Sequence, residues 1–245
     1  MRKALLLPLA PLLLLAFAAS APAEDEPRLP RWRKGVQEGK VEIEGREEGW
    51  VALVPKGYTT KKKWPVVLLA HGNGGKAASF LQVVKPIAGK KPPLLISLER
   101  CDNNQDAIGY VPKYLDALKK VFSIDETNVY ALGFSGGGFR LWDDIVCKAE
   151  ELPRFKGVIL VGSAKQSFDP PEKPEQAATV ILVGDAADPN FKSRAEAEKV
   201  LTDKGYEVIV HEHGQGHSMS RKPLEKVFEW IAEPVKASRK RPRRR

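Results

Sequence analysis

The stretch VYALGFSGGGFR, residues 129–140, decides the fold. An apolar run ends at Gly133-Phe134-Ser135, and three glycines follow where the downstream pattern turns helical. A glycine inside a helix costs about 1 kcal/mol relative to alanine, so three at a helix start need a reason. Gly133 and Gly137 flank Ser135 at two residues' distance, which makes G-x-S-x-G. A sharp strand-to-helix turn would push the serine side chain out of the backbone. Glycine at both flanks relieves the crowding where strand and helix meet. The helix then aims unpaired amides at the serine, so the Gly136 N–H can donate to a developing oxyanion. The motif does not require Gly138, which leaves room for a substrate or a neighbouring strand.

Working outward, KVEIEG and EGWVALVPKGY read as two antiparallel strands. WPVVLLAHG, PLLISLE, NVYALGF, KGVILVGSA, ATVILVGDA and YEVIVHEHG are apolar strands. Between them AASFLQVVKPIA, DAIGYVPKYLDALKKVFS, GGFRLWDDIVCKAEEL and KSRAEAEKVLTDKG carry helical spacing, and RKPLEKVFEWIAE closes the chain as a helix. The alternation predicts an α/β fold, with a mostly parallel central sheet and helices on both faces. In such sheets the working site lies outside the carboxyl ends of the strands.

The residues just past those ends carry chemistry. HGNGGK follows the WPVVLLA strand, and its glycine-rich turn offers backbone amides without obstruction, so Asn73 or Gly74 is a candidate second oxyanion donor. DAADPN follows ATVILVG and supplies Asp185 and Asp188, either of which can hold a histidine's tautomer or serve as a turn and capping residue. QGHSMS follows the last strand and supplies His217, a loop histidine suited to general-base work near neutral pH. His211 and His213 fall in the strand before it and read as packing or surface residues. The spacing of the three histidines matches none of the common zinc patterns, and neither a metal nor an organic cofactor is expected. Serine, aspartate and histidine come in the chain order of the α/β-hydrolase triad.

On these residues the chain resembles the α/β-hydrolase superfamily. It is most like the compact secreted esterases around dienelactone hydrolase, phospholipase/carboxylesterase, and polyhydroxybutyrate-depolymerase-like or feruloyl-esterase-like proteins. VVLLAHGNGG, FSIDETNVYALGFSGGG, ILVGDAADPN and GQGHSMS carry the likeness, which spans roughly residues 48–233. The resemblance implies the α/β-hydrolase fold, Ser135 as nucleophile, His217 as base, and the Asn73 and Gly136 amides as oxyanion donors. Many relatives read G-x-x-D or G-D-x-D where this chain has GDAAD, one residue longer. Asp188 is the preferred acid and Asp185 the second choice. The stretch between Ser135 and Asp188 is too short for a large lid. The implied reaction is cleavage of a small-molecule or polymer-borne ester, with a peptidase or lactone hydrolase on the same scaffold as alternative.

The ends of the chain are of a different character. Residues 1–23 have a basic start, an apolar middle and a small-residue end, as a secretory signal peptide does. Pro8 and Pro11 interrupt a run already short for a membrane span, and no later segment is long and apolar enough to be one. The expected product is exported, periplasmic or extracellular. Residues 24–40 read as an irregular lead-in, 41–235 as one hydrolase domain and 236–245 as a disordered basic tail. The net charge is +9, but KASRKRPRRR carries seven positive charges and Arg2 and Lys3 two more, so residues 24–235 are neutral. The tail reads either as a solvated end or as an attachment to an anionic surface, which would make a non-catalytic envelope-binding domain the rival function. Nucleic acid is not expected as a partner, since only the tail would neutralise phosphates. Export would permit a disulfide between Cys101 and Cys147, one near a strand end and one inside a helix.

Overall fold

The structure is a computed structural model that describes residues 29–102, 109–173 and 178–233. The proposed signal segment and the basic tail lie outside the described residues.

Eight strands form one sheet: β1 (Gly35–Ile43), β2 (Arg46–Val54), β3 (Trp64–Ala70), β4 (Leu94–Leu98), β5 (Ile124–Phe134), β6 (Gly157–Val161), β7 (Thr179–Gly184) and β8 (Val208–Glu212). Their spatial order is β1-β2-β4-β3-β5-β6-β7-β8. The β1–β2 hairpin is antiparallel, β2 pairs antiparallel with β4, and every pair from β4 to β8 is parallel. The hairpin turns through Glu44 and Gly45, both at positive φ. Among the described residues the α-helices are α1 (Ala77–Val84), α2 (Tyr110–Lys119), α3 (Gly136–Leu141), α4 (Arg194–Asp203) and α5 (Arg221–Ala232).

The unbroken apolar runs of β3, β4, β6 and β7 follow from burial on both faces. Successive side chains point to opposite faces, and β3 shows how the two cores divide. Val66, Leu68 and Ala70 join α2, α3 and α4, whereas Val67 and Leu69 face α1 and α5. The first core holds the largest buried rings, Trp142 and Tyr114 among them. In the second, Phe80 and Leu81 of α1 and Leu224, Val227 and Phe228 of α5 close the other side.

Three details differ from the sequence reading. The expected lead-in over 24–40 is too long, because Gly35–Lys40 already pairs with Gly49–Val54. An exposed strand at a sheet edge lacks the apolar run that marks a buried one. The helix expected over residues 137–152 gives way at Trp142 to a π turn through Val146, where the Cys147 N–H reaches the Trp142 carbonyl at 2.9 Å. Cys147 therefore sits past the helical segment rather than inside it. Cys101 and Cys147 are both free thiols.

Candidate active site

The turn after β5 has the geometry that the sequence asks for. Ser135 stands at φ 51°, ψ −120°, a left-handed φ that a non-glycine residue holds at a cost of order 1–3 kcal/mol. Its N–H is held by the Val161 carbonyl at 2.9 Å, and its own carbonyl accepts the first α3 bond from Phe139 at 2.9 Å. The glycines pay for close approach. A Cβ on Gly137 would stand 2.2 Å from the Ala70 carbonyl oxygen, and one on Gly133 would stand 2.6 Å from that of Gly137. A Cβ on Gly138 would meet Ser163 Oγ at 2.0 Å and Cβ at 2.8 Å. The third glycine makes room for the segment just past β6.

Asp188 and His217 meet across two loops. His217 Nδ1 lies 2.6 Å from Asp188 Oδ2. A carboxylate only accepts, so Nδ1–H donates and Nε2 is left for another partner. Asp188 is 1% exposed at its side chain and His217 34%, so the acid is enclosed while the imidazole reaches solvent. Phe134, the residue before Ser135, lies against the imidazole with ring centroids 4.8 Å apart. Gly162, at φ +56°, completes the seat. A Cβ there would stand 3.1 Å from the His217 ring and 3.3 Å from Asp188 Oδ2. The Ser135 hydroxyl makes no hydrogen bond among the described residues. In unliganded enzymes such bonds are often long and tighten with substrate.

Asp185 does different work three residues earlier. It accepts the Ala187 N–H at 2.9 Å and the Gly216 N–H at 2.6 Å. Those two amides hold its carboxyl below the ordinary aspartate range. Gly216 precedes His217, so Asp185 anchors the histidine's loop without touching the ring. The other histidines are separate from this pair. His211 lies in β8, with its pKa lowered by burial and then by Lys226, and His213 Nδ1 accepts the Gln215 N–H at 3.3 Å. Among the described residues no three His, Cys, Asp or Glu side chains gather to hold a metal.

The loop after β3 divides its two candidate donors. The Gly74 N–H is given to Asp102 Oδ2 at 3.0 Å, so it is already engaged. Asn73 beside it is exposed. Gly75 closes the turn on the Gly72 carbonyl at 2.9 Å, and a Cβ on Gly72 would come 3.4 Å from Ser135 Cβ, so this turn lies directly against the elbow. The ring nitrogens of buried His71 face the Gly72 and Glu99 carbonyls at 2.9 and 3.1 Å. Cys101 Sγ accepts the His71 N–H at 3.3 Å and donates to the Leu98 carbonyl at 3.2 Å. Burial pushes this thiol far up, so it stays protonated.

Asp102, Arg140 and Gly162 escaped the sequence reading. The buried Arg140 guanidinium donates to the Asp102 carbonyl, from Nη2 at 2.9 Å and Nε at 3.3 Å, while Asp102 holds Gly74. Asp102 lies just past β4 and Gly162 just past β6. The rule of inspecting strand ends finds both positions, but neither residue type announces its role there.

No family model matches the chain, and no curated protein matches it. Solved structures do. A thermostable esterase aligns with a TM-score of 0.63 at 19% identity, over 80% of this chain and 62% of its own. The chain thus spans less than two thirds of that esterase. The Bacillus cereus carboxylesterase aligns with a TM-score of 0.56 at 20% identity, over 75% of this chain and 93% of its own. The substrate-bound fluorophosphonate-binding serine hydrolase F of Staphylococcus aureus gives 0.62 at 10% identity, over 82% and 99%. This is the α/β-hydrolase fold. At such identities the likeness establishes architecture, and the chemistry rests on the residues.

Proposed function

We propose that the chain is an exported serine hydrolase that cleaves carboxylic esters through Ser135, His217 and Asp188. The observation that carries this reading is the convergence of two features at one sheet rim. One is a serine strained onto a strand-to-helix elbow, and the other is an imidazole seated on a buried carboxylate beside it. In the proposed reaction His217 Nε2 takes the Ser135 proton as Oγ attacks the acyl carbonyl. The oxyanion is met by the Gly136 and Asn73 amides. The imidazolium, stabilised by Asp188, protonates the departing alcohol. Water then attacks the acyl-enzyme by the same route and restores Ser135. Fold neighbours named as esterase and carboxylesterase support an ester as the substrate class. Export rests on the character of residues 1–23, and an N-terminus at Glu24 in protein recovered from the medium or periplasm would support it.

The experiment is hydrolysis of a short-chain p-nitrophenyl ester series by the wild type and by Ser135→Ala. Turnover lost in a folded variant supports the reading and sizes the acyl pocket. Equal turnover in both excludes Ser135 as nucleophile.

A further inference from the structure

The amino ends of the strands form the rim opposite the site, and one sector of this rim, the loops that lead into the neighbouring strands β3 and β4, is rich in lysine. From Gly49 to Leu98 the sequence holds eight lysines and no aspartate, glutamate or arginine. Lys76 lies beside the site, at the start of α1. The other seven are placed by two loops at the far rim: the β2–β3 connection carries Lys56 and Lys61–Lys63, and the α1–β4 connection carries Lys85, Lys90 and Lys91. All seven are exposed, and among the described residues none is in an ion pair. Lys63 acts electrostatically on Glu126, which is paired with Lys119 at 2.7 Å.

The described chain ends at the same place. Glu233, the last described residue, lines a shallow cavity of about 560 Å³ together with Lys62, Trp64, Lys91 and Pro92. Beyond it come the seven cations of residues 236–245. The described chain therefore ends at the lysine-rich sector, on the side of the molecule away from Ser135.

We propose that this lysine-rich sector is a docking surface for anionic phospholipid membranes, which holds the protein with its candidate active site facing away from the bilayer. Clustered basic residues near a surface are drawn to anionic lipid, each adding a modest increment. The half-buried Trp64 at the rim suits the headgroup layer, where amphipathic rings collect. Lysine is a strongly hydrated point charge, matched to diffuse headgroup charge and lacking the rigid fork that reads bases. The rim rings are not open stacking platforms for nucleotides. Trp32 lies stacked on Phe122, and Lys62 Nζ sits 4.5 Å over Trp64. The proposal does not rest on the hydrolase reading.

The test is sedimentation of the chain, as recovered after export, with phosphatidylcholine vesicles that contain or lack phosphatidylglycerol. Binding should be at least about tenfold tighter to the anionic vesicles and should fall as salt is raised. Combined Lys61→Glu, Lys62→Glu, Lys90→Glu and Lys91→Glu should weaken it roughly a hundredfold. Circular dichroism and thermal melting serve as the folding controls. If the reversal unfolds the protein, the four Lys→Gln changes replace it, with weakening of about tenfold expected. Equal binding to neutral vesicles would overturn the proposal. So would full binding by a folded four-site variant, which would assign the contact to the tail alone. Tighter binding to duplex DNA than to anionic vesicles at the same salt would make the rim a nucleic-acid surface instead.

Discussion

The two rims of the sheet use the same residue types for opposite ends. At the carboxyl rim glycine permits contact: side chains at Gly133, Gly137 or Gly138 would collide with backbone or with Ser163. At the amino rim Gly57 and Gly89 only turn the chain, and a Cβ on either would meet nothing within 4 Å. Charge divides similarly. The carboxyl rim buries Asp102, Asp185 and Asp188, each with a named partner, whereas the seven loop lysines of the amino rim are exposed and in no ion pair among the described residues. Close packing and satisfied polar groups mark where geometry has to be held. Loose turns and free charge mark a surface that needs only a field.

If that contrast is right, substitutions at the carboxyl rim change turnover and those at the amino rim do not. Ser135→Ala should lower ester turnover by a factor on the order of 10⁴–10⁶ while the thermal melt is preserved. Asp188→Asn should follow, with a loss in kcat of about 10³–10⁴ because the imidazole loses its tautomer control. Gly162→Ala is next. It forces a Cβ towards His217 at a left-handed φ, with strain of about 1–3 kcal/mol, and should lower kcat roughly tenfold or more with little change in KM.

Asp185→Asn should cost less than Asp188→Asn, about tenfold or below, because it loosens the His217 loop and leaves the ring's partner in place. The reverse order of severity would move the acid to Asp185. Its pH behaviour sharpens the assignment. The folded-state pKa of Asp185 is depressed, so its stabilisation is complete above the ordinary aspartate value of about 3.9. It is lost as pH falls through the folded value. The melting difference between the wild type and Asp185→Asn should therefore shrink as pH is lowered through that range. The smallest effect belongs to the other rim. The four-lysine reversal should leave kcat/KM within about twofold, as expected for surface charge remote from the chemistry.

Much of this was legible in the sequence. The continuous apolar runs announced buried parallel strands, and G-x-S-x-G between a strand and a helix announced the elbow. The rule that sites lie at strand ends brought Asn73, Ser135, Asp188 and His217 to one rim. Gly138 was left with two readings, and packing against Ser163 settles it in favour of the neighbouring segment. The rest depended on three-dimensional pairing. The engagement of Gly74 by Asp102 cannot be read from a turn sequence, because its acceptor lies 28 residues away. The seat that Gly162 makes for His217 joins two loops whose approach only the folded sheet fixes. The acidless run from Gly49 to Leu98 was in the sequence throughout. Its meaning comes from the topology, which gathers two loops at one rim.

The most direct test of the central claim is to treat the folded protein with a fluorophosphonate probe and map the adduct by mass spectrometry. A single adduct on Ser135, absent from Ser135→Ala and slowed by Asp188→Asn, is the predicted result. A folded wild type that remains unlabelled, or that is labelled elsewhere with Ser135 unmodified, would contradict the account.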